Sequence, residues 1–441
     1  MYCFASYTTQ RLKNPLLITA KQATITRESA RLGVASKIVT AGCRKKSNSI
    51  PKTTTAMTSE TVDPLILETV ERACANEIHK YQEEAYYNTV PRDLFRALCN
   101  AGLGGLAIPE QYGGLAANAA TTAAIFEVIA RYDLGPAIFI SVHAMVCSLI
   151  SRHGTTEQHQ RLLPRLASGE LLAAFALTEP NAGSDAAAIA TEAVSAQNGF
   201  VLRGEKCYIT SAGFADIYLV FARTPTDPIN GSEQSHISAF LVPACAAGLS
   251  ISKPERKMGC ELSPIASLTF DNVYVPASDV VGSLHQGFKV ALSGLASGRV
   301  NIAACANGLS LAAIEASKKQ LRERTQFGKA LAEFQGLQFI LADMFIQTEA
   351  ARLLTQKAAE TIDRERIGAE TADTSRLSSS TAKCFATDTA MQVTTNAVQL
   401  LGGAGYIKEY QVERLMREAK MLQIVEGTNQ IQRIIIAREI L

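Results

Sequence analysis

The sequence predicts a multi-domain α+β protein with an N-terminal all-α domain, a middle β-sandwich or barrel domain and a C-terminal four-helix bundle. Three observations carry that prediction. Apolar residues recur at helical spacing from about Pro64 to Gly169. Short β-branched and aromatic runs broken by turn residues replace them from Leu171 to about Leu284. Long, Ala-rich helical periodicity returns from Gly287. At 441 residues, 47% hydrophobic and 19% charged, the chain is long enough for two or three cores. The boundaries read as a basic leader over 1–56, a helical domain over 57–170, a β-domain over 171–285 and a helical bundle over 286–441.

The leader holds ten Lys or Arg against one acid, Glu28, in a Ser-, Thr- and Ala-rich context with no apolar run near bilayer length. It resembles a mitochondrial presequence, which implies the mitochondrial matrix. Initiation at Met57, with a cytoplasmic (bacterial) protein, and a functional basic tail are the alternatives. The net charge of +2 leaves the remainder at about −7, which argues against a nucleic-acid-binding surface on the folded part. Ten cysteines without a CxxC have the spacing of free thiols in a reducing compartment. The six histidines form no HxxxH or HxH cluster, so no metal site is expected.

In the first helical region, LILETVERACANEIHKYQEEAYY and VPRDLFRALCNAGLGGL read as helices, the second stopped by glycine. IPEQYGGL is a turn-rich link to AATTAAIFEVIARYD. The apolar run from Ile138 to Ile150 is a buried core helix too short for a membrane span. In the middle region GFVLRGEKCYITSAGFADIYLVFART, HISAFLVPA, GLSISKPE and IASLTFDNVYVP give strands of four to eight residues without parallel βαβ units. In the last region Phe334, Leu337, Leu341 and Phe345, with Leu353 and Leu354 beyond, form a stripe facing a partner helix. SRLSSSTAKCFATDTAMQVTTNAVQLL, EYQVERLMREAKMLQIV and NQIQRIIIAREIL complete helical stretches suited to an up-down bundle.

Five motifs carry possible chemistry, each beside a plain structural reading. LTEPNAGSD, Leu177 to Asp185, is a turn whose backbone N–H groups and hydroxyls, Thr178 and Ser184, can wrap a polar ligand edge, or simply a tight loop. In GEKCYITSAG alternation sets Tyr208 and Thr210 opposite Cys207 and Ile209, an aromatic beside a hydroxyl for a flat heterocycle, or ordinary strand formers. In ERTQFGKAL, Arg324 offers a fork for a diphosphate and Gln326 an amide, or the arginine completes a helix C-cap. The glycines of VQLLGGAGY admit a phosphate or a backbone, or form a Schellman-type stop. In QIVEGTNQIQR, Thr428 is an N-cap whose N3 residue, Ile431, forms no capping box, so Glu426 is not explained that way. Shielded by Ile424 and Val425, Glu426 is a candidate general base; a helix-dipole acid is the alternative.

Together, in this order, the motifs over residues 60 to 441 resemble the acyl-CoA dehydrogenase family, whose T-E-P-x-x-G-S-D and E-G-T-x-x-I-Q-R signatures match LTEPNAGSD and VEGTNQIQR. The resemblance implies a homotetramer, a dimer of dimers, with one FAD per subunit, acting on an acyl-CoA and passing electrons to an electron-transfer flavoprotein. Glu426 would be the base that takes the pro-R α-proton while hydride leaves C3 for the flavin, giving the trans-2,3-enoyl-CoA. Ala176, Leu177 and Thr178 would line the flavin, Ser184 the flavin and pantetheine, Tyr208 the ring where the family most often has tryptophan, and Thr210 its N5. Arg324, Gln326, Phe327, Gln399, Gly402 and Gly403 would hold the FAD of a neighbouring subunit, and Thr428 would also contact cofactor. Arg299, near the CoA end, and Gly427 would meet substrate.

Two departures stand out, Tyr208 in place of tryptophan and the segment LASGR. Ala296 replaces a frequent aspartate, and Gly298 occupies the position from which the isovaleryl-CoA branch supplies its glutamate, leaving Glu426 as the only candidate base. GRVNIAA, LQFILADM, AKCFATD and GGAGYIKEY are similar to the isobutyryl-CoA dehydrogenase branch and imply short or branched acyl chains. An acyl-CoA oxidase using O2 and a non-catalytic CoA-ester-binding module are the rival readings.

Overall fold

The computed structural model describes residues 63–83, 86–225 and 236–441, so the leader of residues 1–56 lies outside the described residues. Five helices come first: α1 (Pro64–Glu77), α2 (Arg92–Asn100), α3 (Ala119–Tyr132), α4 (Leu134–His153) and α5 (Thr156–Ala167). Their starts follow side-chain chemistry. Asp63, Asn118, Asp133 and Thr155 each accept a backbone N–H of the first turn, and Thr155 with Gln158 closes a capping box. α4 runs to 20 residues, longer than the 13-residue apolar run in its sequence, so its length alone does reach that of a membrane span. Burial explains its apolarity instead: 83% of its most apolar window is inside the protein.

The middle strands are β1 (Ala173–Ala176), β2 (Glu192–Ala196), β3 (Gly199–Thr210), β4 (Ile217–Arg223), β5 (Ile237–Pro243), β6 (Leu249–Ile251), β7 (Ile265–Pro276) and β8 (Val280–Val281). They pair in the order β6-β7-β3-β2-β4-β5-β8, with β1 added to β4. The two halves of this sheet meet through one register pair, Glu192 with Arg223, and fold onto each other. Leu202, Leu268 and Val273 from one half share a core with Tyr218, Val220, Phe240 and Val242 from the other. The opposite faces of β4 and β5, through Leu219, Phe221, Ala239 and Leu241, join a second core with Val146, Leu149 and Leu163 of the helices. Burial on both faces is why β4 and β5 read as unbroken apolar runs. β1 pairs with β4 in parallel, which the sequence pattern did not predict; a short 3-10 turn, β2 and β3, with no α-helix, make up the regular part of the link.

Five helices follow: α6 (Gly287–Glu323), α7 (Gln335–Arg366), α8 (Ala372–Leu401), α9 (Val412–Leu422) and α10 (Asn429–Ile440). Between α6 and α7 sits a hairpin, β9 (Thr325–Gln326) with β10 (Lys329–Ala330). α8 is the axis of the bundle, packed on α6, α7, α9 and α10, while α3 covers α6 from the N-terminal side. The predicted stripe on α7 is wrong in part. Phe345 and Leu353 are exposed, at 54% and 66%, and the face that packs inward is small-residue: Thr348, Ala351, Thr355, Ala358 and Ala359. Close helix approach selects small residues along the middle of that face, with Met344 and Ile362 buried at its two ends and Leu337, Leu341 and Leu354 partly buried against the core.

Candidate active site

The turn from α9 to α10 carries Glu426. Val425 N–H closes back on Met421, and the chain then enters the left-handed region at Glu426 (φ 56°) and Gly427 (φ 86°) before Thr428 caps α10 by accepting the Ile431 N–H at 3.3 Å. For a glutamate that backbone conformation costs about 1 kcal/mol and persists only where the surroundings enforce it. They do: the Gln432 side-chain amide donates to the carbonyls of Glu426 (3.1 Å) and Gly427 (2.8 Å), and Lys383 Nζ donates to Gly427 at 3.0 Å. The turn drives the Glu426 side chain inward, toward α6 and α8, while Ile424 points out at 55% exposure. Ile424 is therefore not the shield the sequence suggested.

The carboxylate lands beside Gly298 of α6. A Cβ at Gly298 would lie 2.8 Å from Glu426 Oε2 and 2.9 Å from Oε1. Oε2 is sealed from solvent and has no hydrogen-bond partner. Burial pushes the carboxyl up to about 7, with Arg299 and then Lys383 opposing. Arg299, expected near a CoA end, is 7% exposed, reaches Ser380 Oγ at 3.5 Å and sets its charge against Glu426. The backbone N–H of Glu426 has no acceptor among the described residues. Gly298 also lines a narrow cleft bounded by α4, α6 and the segment from Leu106 to Thr122, with Leu106, Met145, Gly294 and Val300 among its walls and Ser148, Arg152 and Arg366 among its polar residues. An unpartnered, proton-avid carboxylate packed against a glycine that itself lines an apolar cleft is a poised general base.

A second group forms where β1 ends. Ala176 and Leu177 are buried and Thr178 half-buried, and the Thr178 carbonyl accepts the Cys207 N–H at 3.0 Å, which ties the 177–185 loop to β3. The tie is strengthened by a pair the sequence reading passed over. Lys206, fully buried, donates to the Leu177 carbonyl at 2.9 Å and to Glu179 Oε1 at 2.6 Å. Burial raises the Glu179 carboxyl, but the Ala190 N–H, Lys206 and Thr191 outweigh it and hold it below its ordinary range. Cys207 and Ile209 are buried and Tyr208 faces out at 66%, as alternation required. What alternation did not show is a bulge against β7 between Lys206 and Ile209, with Tyr208 left-handed at φ 57°. Ser184 is exposed on its loop, and Gly183 has open space where a side chain would be.

A third group is at the surface. Arg324 caps α6 through its backbone N–H, 2.9 Å from the Gln320 carbonyl, with its side chain exposed. Phe327 and Gly328 are the two left-handed residues of the β9–β10 turn, and Phe327 is 92% exposed. An aromatic ring held out from a strained turn is costly unless something covers it. Gln326 and Gln399 are exposed, and Gly402 and Gly403 have nothing within 4 Å of a built Cβ. Gly402 adopts ψ −135° and leads into a 3-10 turn, so the stop is not of the Schellman type.

These observations fit a dinucleotide flavin. The exposed Tyr208 ring beside Thr178 and Thr210 suits the flat heterocycle, and the open glycines with exposed Arg324 suit diphosphate and adenosine. The structure brings 176–178 to 207–210, and Glu426 to Gly298, Arg299 and Lys383. Lys383 escaped the sequence reading, although its spacing with Ser379, Thr387 and Ala390 puts it on the small-residue face of α8 that faces the core.

Three family models match the chain: "Acyl-CoA dehydrogenase, N-terminal domain" over residues 63–170, the middle domain over 174–273 and the C-terminal domain over 285–441. An acyl-CoA dehydrogenase of Bacillus subtilis (strain 168) is 41% identical over 353 residues, 80% of this chain and 90% of that one. The mitochondrial isobutyryl-CoA dehydrogenase of Dictyostelium discoideum is 36% identical over 363 residues, 82% and 84% of the two chains. The solved butyryl-CoA dehydrogenase of Megasphaera elsdenii superposes with a TM-score of 0.76 at 36% identity, covering 85% of this chain and 98% of that one.

Proposed function

The chain belongs to the acyl-CoA dehydrogenase family, and on that premise we propose that Glu426 is its catalytic base and that the cleft beside Gly298 takes a short or branched acyl chain. The reaction is the FAD-dependent α,β-dehydrogenation of an acyl-CoA thioester to the enoyl-CoA. FAD, when bound, supplies the acceptor for the hydride leaving C3. The observation that carries the assignment of the base is the half-buried Glu426 carboxyl, whose Oε2 is sealed from solvent without a partner and whose proton affinity burial raises to about 7.

Glu426 takes the C2 proton, a step open to a carboxylate only if the thioester carbonyl is gripped as charge builds on its oxygen. The Glu426 N–H, lacking an acceptor among the described residues, is the chain's donor for that oxygen, and losing such a donor costs about 3 kcal/mol. Leu106, Met145 and Val300 exclude water from the cleft. Gly427 lets the backbone approach the substrate, and Arg299 steadies the ionised base.

Ala176, Leu177, Thr178, Ser184, Tyr208 and Thr210 hold the flavin end of FAD, with Thr428 nearby. Arg324, Gln326, Phe327, Gln399, Gly402 and Gly403 hold the far end of a neighbouring copy's FAD in a homotetramer; the bare Phe327 ring supports that assembly. The acceptor is an electron-transfer flavoprotein, and the basic leader supports delivery to the mitochondrial matrix. Short or branched substrates are supported by GRVNIAA and AKCFATD and by the likeness to the isobutyryl- and butyryl-CoA enzymes.

Glu426→Gln is expected to keep FAD and CoA-ester binding while turnover with an artificial acceptor falls by orders of magnitude. Unchanged turnover overturns the assignment. Across isobutyryl-, 2-methylbutyryl-, butyryl- and octanoyl-CoA, the highest kcat/KM on octanoyl-CoA overturns the short or branched reading.

A further inference from the structure

We propose that Lys383 is a positioning residue for Glu426: its ammonium, on α8, grips the Gly427 carbonyl and the Asn429 side chain, locks the left-handed turn that carries the base, and sets a positive charge behind the carboxylate. The inference rests on Glu426 being the base.

Lys383 is fully buried, and its two acceptors are uncharged: Gly427 O at 3.0 Å and Asn429 Oδ1 at 2.8 Å. No carboxylate stands within ion-pair distance of it among the described residues. A buried ammonium bonded only to neutral oxygens is expensive, and a leucine or methionine would pack the same volume more cheaply. What the ammonium does that they cannot is visible in its partners. Gly427 O takes bonds from both Lys383 and Gln432, and so anchors the end of the strained Glu426–Gly427 step. Asn429, the first residue of α10, is held by Lys383 and in turn donates to Thr387 Oγ1 at 2.9 Å and Asp388 Oδ1 at 2.7 Å on α8. Among the described residues Lys383 is thus the one side chain on α8 that holds both the Gly427 carbonyl and the start of α10, while Thr387 and Asp388 hold Asn429 alone or with Gln423 and Arg433. Without it the φ 56° at Glu426 relaxes toward commoner values and the carboxylate swings from its place beside Gly298.

The charge has a second effect. The groups facing Glu426 are Arg299 on α6 and Lys383 on α8. Those facing Lys383 are Cys384 and Asp388 on its own helix, Glu426 on the turn and Arg299 on α6. Burial raises the base and lowers the ammonium, to about 8, and the attraction between the two opposes both shifts. Removing the ammonium leaves Arg299 alone against burial, so Glu426 binds its proton more tightly.

The test compares wild type, Lys383→Met, Lys383→Gln and Lys383→Arg as holoenzymes with butyryl- and isobutyryl-CoA. Lys383→Met is expected to lower kcat at least about tenfold at pH 7, to change KM less than about threefold, and to move the acid limb of kcat/KM upward by about one pH unit. Lys383→Arg, which keeps the charge, is expected to return the limb toward wild type. Lys383→Gln keeps a donor without the charge and carries the pH test should the methionine variant fail to fold; its limb must also move upward. Isotope-edited infrared titration of the substrate-free protein, with Glu426→Gln as the blank, reads the same shift without turnover. A limb and an infrared titration that stay at wild-type pH in the methionine and glutamine variants overturn the proposal. An active Glu426→Gln sinks the base itself, whereas an inactive Glu426→Gln beside unmoved Lys383 variants sinks only this inference.

Discussion

Gly298 and Glu426 occupy one space: the Cβ that Gly298 lacks would stand 2.8 Å from Glu426 Oε2, closer than a real Cβ contact allows. The glycine sits deep in α6, where alanine would favour the helix by about 1 kcal/mol. Its retention costs stability and makes room for the base. Gly298→Ala is therefore expected to leave the melting temperature equal or higher while kcat falls about a hundredfold, the scale of a 1 Å misplacement of a reacting group. Steady-state kinetics beside calorimetry checks it, and a fully active variant shows that the carboxylate is not confined there.

The proton affinity of Glu426 fixes the pH dependence. Burial raises its carboxyl to about 7, and a base must be ionised to act, so kcat/KM is expected to fall about tenfold per pH unit below that value and to level off above it. Arg299 is the larger of the two charges holding the value down. Arg299→Gln should move the acid limb to higher pH; a downward or absent shift would mean that its charge does not act on the base.

How much of this was legible follows from what patterning reports. Thr428 could be read as a cap because an N-cap is a local event, and Ala-rich periodicity located α6 and α8 because burial of one face selects small apolar residues. Phe345 and Leu353 misled because apolar residues at helical spacing do not say which face of a helix packs, and on α7 the middle of the packed face is made of small residues. The bulge at Tyr208 leaves the alternation of Cys207 to Thr210 intact, so no pattern betrays it. Lys206, Lys383 and Glu418 are charged side chains inside the core, the two lysines placed by partners far away in sequence, and hydropathy reads each as surface. Glu426 was found through its motif, and its inward turn only through the backbone at φ 56°.

Glu418 on α9 is fully buried, and neither carboxylate oxygen has a hydrogen bond. Its nearest cation, Arg414 at 3.8 Å, is committed to Asp133. Burial, opposed by Arg414, raises the carboxyl to about 8. In the unfolded chain it ionises near its ordinary 4.5. Between those values the unfolded state releases a proton that the folded state keeps, so the contribution is intact below about pH 4.5 and is lost as pH rises through 8. The loss is at most about 1.4 kcal/mol per pH unit. Glu418→Gln, neutral and of equal shape, should thus stabilise the protein at pH 8 and make little difference at pH 5. Equal effects at both values in urea melts would show that Glu418 is ionised when folded.

Lys206 and Glu179 test whether the loop at the end of β1 is held by charge. The pair is nearly sealed, at 0% and 6% exposure, and Glu179 also accepts the N–H groups of Ala190 and Thr191. Lys206→Met removes the ammonium and strands a buried carboxylate, a change that costs about 3–5 kcal/mol when one partner of a buried pair is lost. Glu179→Gln added to it takes away the stranded charge and keeps an oxygen for one of the two amides, so the double variant should be more stable than Lys206→Met alone. Because Lys206 also holds the Leu177 carbonyl, the single variant frees the segment that carries Thr178 and Ser184, and it should purify with less FAD than wild type. Urea denaturation of the four proteins gives the coupling energy, and absorbance near 450 nm gives the flavin content. A coupling near zero with full flavin would leave the Cys207–Thr178 backbone bond as the main restraint on the loop.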